Sequence, residues 1–294
     1  RMTSPKTVTL FIQCLVDTIY PEVADAMVGV FRRLGIPLTC PTDQTCCGQP
    51  AFNAGYRRQA RIAAKHFIEV FEDSECIVCP SGSCVNMVRH HYAELFRNNP
   101  RWSRRALDLA DRIYEFSEFL VDIQGVVDSG VRFDGKVTYH DSCHLLRGIG
   151  VKEQPRTLLA NVSGLDFIEM HNSDTCCGFG GTFSIKYSDI SNAMVTDKVN
   201  NIIASGADAV VGCDMGCLMN IEGKLSRMGS DIKVMHLAQI LAGSRFLQLT
   251  ADARRLSQTV FSSRRPVGRK PCMPFGQFYY EVFTLVLIIL ATKW

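Results

Sequence analysis

The chain has 294 residues, 47% of them hydrophobic and 21% charged, which excludes a disordered or collagen-like protein and, at about 100 to 200 residues per domain, suggests two domains. Its formal charge of +3 is uneven, because residues 243–294 hold eight Lys or Arg against Asp252 and Glu281, leaving residues 1–242 at −3. A body of that sign suits a phosphate backbone poorly, and with no nucleic-acid-binding signature present, nucleic acid is set aside as a partner.

The chain opens at Arg1-Met2-Thr3 without the charged-then-apolar pattern of a signal peptide, so a cytoplasmic protein starting at Met2 is expected. The best apolar run, Val282 to Ala291, has ten residues where about 20 are needed to span a bilayer, so no transmembrane segment is expected. Thirteen cysteines then stand out. In a reducing compartment such a set points to metal or redox chemistry rather than to structural disulfides.

In chain order, a strand-like run from Val8 to Ile12 precedes Cys14, and Pro21-Glu22 opens a helix. A second run, Ile36 to Thr39, precedes Cys46-Cys47-Gly48. Ala60, Ala63, Ala64, Phe67, Ile68 and Phe71 then mark one buried helical face. Ile77-Val78 precedes Cys84. Residues 98–134 read as a structured connection. After it the order repeats: Val137 to Tyr139 before Cys143, Phe167 to Met170 before Cys176-Cys177-Gly178, and a helix through Val195, Val199, Ile202 and Ile203 that ends near Gly206. Ala209 to Val211 then leads to Cys217. The adjacent pair recurs 130 positions on, and the spacings Cys-x31-Cys-Cys-Gly-x35-Cys and Cys-x32-Cys-Cys-Gly-x38-Cys are too alike for chance.

The expected fold class is therefore α/β: two tandem α/β cysteine-rich repeats with parallel-type sheets, at residues 7–97 and 135–242, with 98–134 between them and a basic, then apolar, extension at 243–294. Ligands of open α/β sheets bind beyond the strand carboxyl ends, so the three cysteine loops of each repeat converge on one metal site. Cys84 and Cys217 are expected at helix N-termini, which favour a thiolate. A single zinc takes its ligands in closer pairs than these. An iron–sulfur cluster, whose several metal atoms can share adjacent cysteines, is the favoured occupant, and zinc is kept as the alternative.

These motifs resemble the duplicated cysteine-rich CCG domain found in heterodisulfide reductase and in lactate-utilisation proteins. The words Pro80-Ser81-Gly82-Ser83-Cys84 and Tyr139-His140-Asp141-Ser142-Cys143-His144 look closest to the lactate-utilisation branch. The resemblance implies that Cys14, Cys46, Cys47 and Cys84 bind one cluster, of 4Fe–4S type, and that Cys143, Cys176, Cys177 and Cys217 bind another. It implies an iron–sulfur electron-transfer subunit of a cytoplasmic system oxidising L-lactate to pyruvate, whose other subunits, including a second iron–sulfur protein, are its partners. It also implies a departure. The reductase chains end each motif in Cys-x2-Cys, whereas Ser81 and Asp214 stand here at the earlier of those positions, and Cys213 is one place off register as a substitute ligand. Two other functions stay open: thiol or disulfide redox chemistry like that of the reductase, and a zinc-stabilised scaffold.

The remaining candidates carry plainer readings. Cys76 and Cys79 lie within an apolar run and read as buried core, as does Cys40 at a strand end. His140 and His144 bracket Cys143, where either could bond a cluster sulfur or simply pack. Gly178-Phe179-Gly180-Gly181 lacks a P-loop's Lys-Ser/Thr and reads as a close approach of backbone to the site. The extension holding Cys272 reads as unrelated to the fold, with docking to a partner or weak membrane-surface contact as alternatives.

Overall fold

The structure, a computed structural model, describes residue 5 and residues 7–243. The extension beyond Gly243, with Cys272 and its proposed surface contact, lies outside the described residues. In the first repeat β1 (Val8–Leu10) runs into α1 (Cys14–Thr18) and α2 (Pro21–Arg33), followed by β2 (Leu38–Thr39), α3 (Gln49–Asn53), α4 (Arg57–Phe71) and β3 (Ile77–Cys79). From β3 the chain enters α5 (Gly82–Asn86), a π-helical turn (Met87–His91) and α6 (Tyr92–Leu95). Next come α7 (Pro100–Ala110), β4 (Ile113–Glu115), α8 (Phe116–Glu118) and a second π-helical turn (Phe119–Ile123).

The second repeat begins with β5 (Arg132–Tyr139), a π-helical turn (His144–Gly148), α9 (Glu153–Ala160) and β6 (Ser163–Phe167). It continues through α10 (Phe183–Lys186), α11 (Ser188–Ala204), β7 (Ala209–Gly212), α12 (Met215–Arg227), β8 (Lys233–His236) and α13 (Leu237–Ala242).

Each repeat forms one four-stranded, all-parallel sheet, in the orders β2-β1-β3-β4 and β6-β5-β7-β8. The order is the same because the sequence of strands and crossovers is the same. β1, β3 and β7 are buried at every residue, which is why they read as short apolar runs rather than as alternating patterns. α2 starts on Pro21, whose missing N–H costs nothing in a first turn, and buries Val23, Ala26, Met27, Val30 and Phe31. α4 buries all six of the residues whose spacing marked its face.

The segment 98–134 does more than join the repeats. Its β4 pairs with β3, Ile77 opposite Ile113 and Cys79 opposite Glu115, and completes the first sheet. One apolar core runs through both sheets, from Val8, Leu10 and Val78 to Val137, Tyr139 and Val211, so the repeats share an interior. α2 packs along α13 at one side of this core, where the Arg33 guanidinium donates to the carbonyls of Ser129, Leu241 and Ala242. Among the described residues, no helix is long and apolar enough to cross a membrane.

Candidate metal centres

β1, β3, β5 and β7 all end at the seam between the repeats, and their cysteine loops meet there. Cys14 opens α1, immediately beyond β1, while Cys84 and Cys217 lie in the first turns of α5 and α12. Both of those helices have a side-chain cap at the position three residues before the cysteine. Ser81 Oγ accepts from Cys84 N at 3.3 Å, and Asp214 Oδ1 accepts from Gly216 N at 3.1 Å. The two caps also bond each other across the seam: Ser81 Oγ donates to Asp214 Oδ2 at 3.1 Å, and Ser83 N donates to the same oxygen at 3.1 Å.

The paired cysteines are held by the same device twice. Gly48 and Gly178 adopt φ values of 83° and 79°, in the left-handed region, and donate their N–H groups to Cys46 Sγ and Cys176 Sγ, each at 3.4 Å. A side chain would be crowded at Gly48 and would clash at Gly178. A Cβ on Gly48 would sit 3.0 Å from Ala63 Cβ, and one on Gly178 would sit 2.7 Å from the Ser191 carbonyl. The carbonyl of the second cysteine is clamped in both repeats, by Tyr92 Oη on Cys47 O at 2.9 Å and by Asn220 Nδ2 on Cys177 O at 2.8 Å.

All eight cysteines of the two quartets line one cavity of about 370 Å³, with Pro50, Tyr56, Phe179 and Ile185 among its apolar walls. Cys47 and Cys84 Sγ are 3.5 Å apart. Crowded thiols of this kind cannot all ionise without a cation among them, and their proton affinities diverge accordingly. The thiols of Cys14 and Cys47 bond to Cys46 and hold it well below the usual range, at the cost of raising their own. Cys84 is lowered to about 6 by the thiols of Cys47 and Cys79. In the second quartet, Cys143 and Cys177 lower Cys176 to about 2 and are themselves raised. Such a set is a soft, sulfur-rich donor array whose protons a thiophilic metal would displace. It fits an iron–sulfur or zinc occupant.

Three further residues lie close to the quartets. Cys79, read as plain core, is fully buried at the end of β3 with its thiol on Cys84. His140 is 1% exposed at the end of β5, and its ring nitrogen lies within 4.8 Å of the sulfurs of Cys177 and Cys217. Burial and the nearby Lys198 ammonium push its pKa down to about 3, so the ring is neutral. His144 Nδ1 is 3.9 Å from Cys143 Sγ.

Two other cysteines stand apart. Cys213 is fully buried but points away from the cavity, accepting from Tyr139 Oη at 3.3 Å, with Glu115 beside it. Backbone direction explains this: Cys213 follows β7 in an extended chain, so it faces opposite to Asp214. Cys40, expected in the core, is exposed, with Gln44 Nε2 donating to its sulfur at 3.2 Å. β2 is a two-residue edge strand, and among the described residues Cys40 beyond its end stays exposed.

Comparison with known proteins agrees with this duplication. The profile of the CCG cysteine-rich domain matches residues 8–89 and again residues 137–222. A lactate utilization protein A of Bacillus cereus (strain G9842) is 49% identical over 80% of this chain and 98% of its own length. A lactate utilization protein A 2 of Bacillus mycoides (strain KBAB4) is also 49% identical, with the same coverage. Among solved structures, a hypothetical protein from Helicobacter pylori aligns with a TM-score of 0.53 at 13% identity, over 81% of this chain and 49% of its own, a likeness of fold.

Proposed function

The chain belongs to the family of lactate utilization protein A, built on a duplicated CCG cysteine-rich domain, and on that footing we propose that it is the iron–sulfur electron-transfer subunit of a system that oxidises L-lactate to pyruvate. One observation carries the reading: two complete cysteine quartets open onto a single cavity rather than onto opposite faces of the molecule. A purely structural metal needs no such arrangement. In the proposed assignment Cys14, Cys46, Cys47 and Cys84 hold one 4Fe–4S cluster, and Cys143, Cys176, Cys177 and Cys217 hold the other. When bound, such clusters accept and release single electrons.

The chain's own part is to fix the sulfurs and control their surroundings. Gly48 and Gly178 aim backbone N–H groups at Cys46 and Cys176, and hydrogen bonds of that kind favour the anionic form of the sulfur. The apolar walls limit water at the sulfurs, which together with local charge sets the potential. Hydride removal from lactate falls to another component, and the partners proposed are the other members of a cytoplasmic lactate-utilisation system, one of them a second iron–sulfur protein.

The deciding experiment is to count iron, acid-labile sulfide and zinc per chain on anaerobically purified protein, with an electron paramagnetic resonance spectrum before and after reduction. Iron with matching sulfide and a reduction-sensitive signal is the expected result. Zinc without sulfide, retained through oxidation, would make the quartets structural and end the electron-transfer reading. The width of the cavity favours a second reading, in which a small thiol or disulfide enters beside the sulfurs. It predicts that a disulfide added to the reduced protein is cleaved to two thiols as the clusters are oxidised.

A further inference from the structure

The two sites are built on the same plan but are lined differently. Counting back three residues from the first cysteine of each motif gives Phe11 in the first repeat and His140 in the second. The facing helices correspond as well. Gly48 abuts Ala60 and Ala63 of α4, and Gly178 abuts Ser191 and Met194 of α11, which puts Phe67 and Lys198 at equivalent positions. In the first repeat Phe11 and Phe67 meet edge to face, with ring centroids 4.7 Å apart. In the second, the same pair of places is taken by an imidazole and an ammonium, both fully or almost fully buried.

Lys198 is accounted for. Its Nζ donates to the carbonyls of Asn172 at 2.6 Å and Ser173 at 3.0 Å, bracing the loop that leads into Cys176-Cys177. His140 is not. Neither of its ring nitrogens has a partner at hydrogen-bond geometry, and the Ser173 carbonyl nearby is already occupied by Lys198 and by Asp141 N. A buried imidazole with two idle nitrogens is unfavourable unless something else binds it. The groups within reach are the sulfurs of Cys177 and Cys217, which with His140 place three ligand atoms within 4.8 Å of one another. Imidazole is a common ligand of the same metals that thiolate binds.

We propose that His140 donates a ring nitrogen to the metal of the second site, so that the second site is of mixed sulfur and nitrogen ligation while the first, with Phe11 in that place, has no such nitrogen. The inference rests on the reading that the second quartet holds metal, but not on which metal. Its consequence is two chemically unequal centres in one chain, because the ligand set and the charge around it are what tune such a centre.

The test is X-ray absorption at the metal edge of the full-length Cys47→Ser protein, in which the first site is disabled, combined with pulsed electron paramagnetic resonance after 15N-histidine labelling wherever the metal is iron. The expected result is imidazole scattering at the second site and, with iron, a hyperfine coupling that changes on labelling. Both signatures are lost in His140→Phe and kept in His144→Phe. If His140→Phe fails to fold, the labelled Cys47→Ser protein still decides, with His144→Phe assigning the ring. Zinc with imidazole scattering would sink the iron–sulfur reading and leave this one standing. Iron with sulfur ligands alone would do the reverse, and a second site that binds no metal would sink both.

Discussion

Ser81 and Asp214, which occupy equivalent positions in the two repeats, bond to each other at 3.1 Å and form an antiparallel bridge across the seam. The pseudo-symmetry of the chain thus closes on a contact between two unlike residues, each also capping the helix that carries a quartet cysteine. Asp214 does more of this, accepting from Ser81 Oγ, Ser83 N and Gly216 N.

Asp214→Ala is therefore expected to destabilise the protein by about 2 kcal/mol, combining a lost helix cap with lost hydrogen bonds to a carboxylate, and Ser81→Ala by about 1 kcal/mol. Urea denaturation of both variants checks the order. Equal, negligible effects would show that the seam is held by packing alone.

Replacing Cys177 by Ser is expected to remove the metal of the second site and the lactate oxidation of the assembled system. Cys76→Ala, which alters a buried thiol off the cavity, is expected to leave metal content nearly intact. Metal analysis of the two variants side by side checks the ligand assignment, and equal losses would overturn it.

The glycines after the paired cysteines differ in tolerance. Gly178→Ala puts a methyl group 2.7 Å from the Ser191 carbonyl, whereas Gly48→Ala meets the Ala63 methyl at 3.0 Å and the Ala60 carbonyl at 3.3 Å. Both also force a non-glycine residue to positive φ, at a cost on the order of 1 kcal/mol or more. Gly178→Ala is expected to lose more stability and more metal. Melting temperatures and metal content of the pair test this ranking.

Glu115 is fully buried and burial raises its pKa to about 7, although Ser117 N, Ser117 Oγ and Glu118 N all donate to its Oε2. The folded state therefore holds a proton that the unfolded chain releases near pH 4.5. The linked stability is fully present below about pH 4.5 and is lost as the pH rises through about 7. At roughly 1.4 kcal/mol per unit this is on the order of 3 kcal/mol. The difference in unfolding free energy between wild type and Glu115→Gln, followed from pH 5 to pH 8, should move in favour of the variant. A flat difference would mean that Glu115 ionises normally.

Much of the fold was legible in the sequence because each repeat announces itself chemically. Short, largely apolar runs such as Val8-Thr9-Leu10 and Ala209 to Gly212 mark buried parallel strands, and the glycine after each cysteine pair marks a left-handed turn. β4 was not legible: Ile113-Tyr114-Glu115 is three residues long, ends in a charge and is a strand only by virtue of pairing with β3. The position of Cys40 depended on what covers a strand end, and that of Cys213 on which way the extended chain after β7 turns its side chains, neither of which the cysteine spacing encodes. Nor does one repeat's pattern reveal how it faces the other, so the shared cavity, and the contact of Cys79 with Cys84, emerge only in three dimensions. The pairing of His140 with Lys198 was within reach of the sequence, through a comparison of the helices as well as the cysteines.

A core that passes without a break from Val8 and Val78 to Val137 and Val211 has a consequence for how the chain can be divided. Each half keeps a smaller core of its own, around Phe67 in the first and Val199 in the second, but the interior between the sheets belongs to both. Cutting the chain between the repeats would expose apolar strand faces on both products, and each would also lose one wall of the cavity at its cysteines. Duplication here has ended in interdependence: two copies of one design close a single interior between them, so that heat should undo both in one cooperative step.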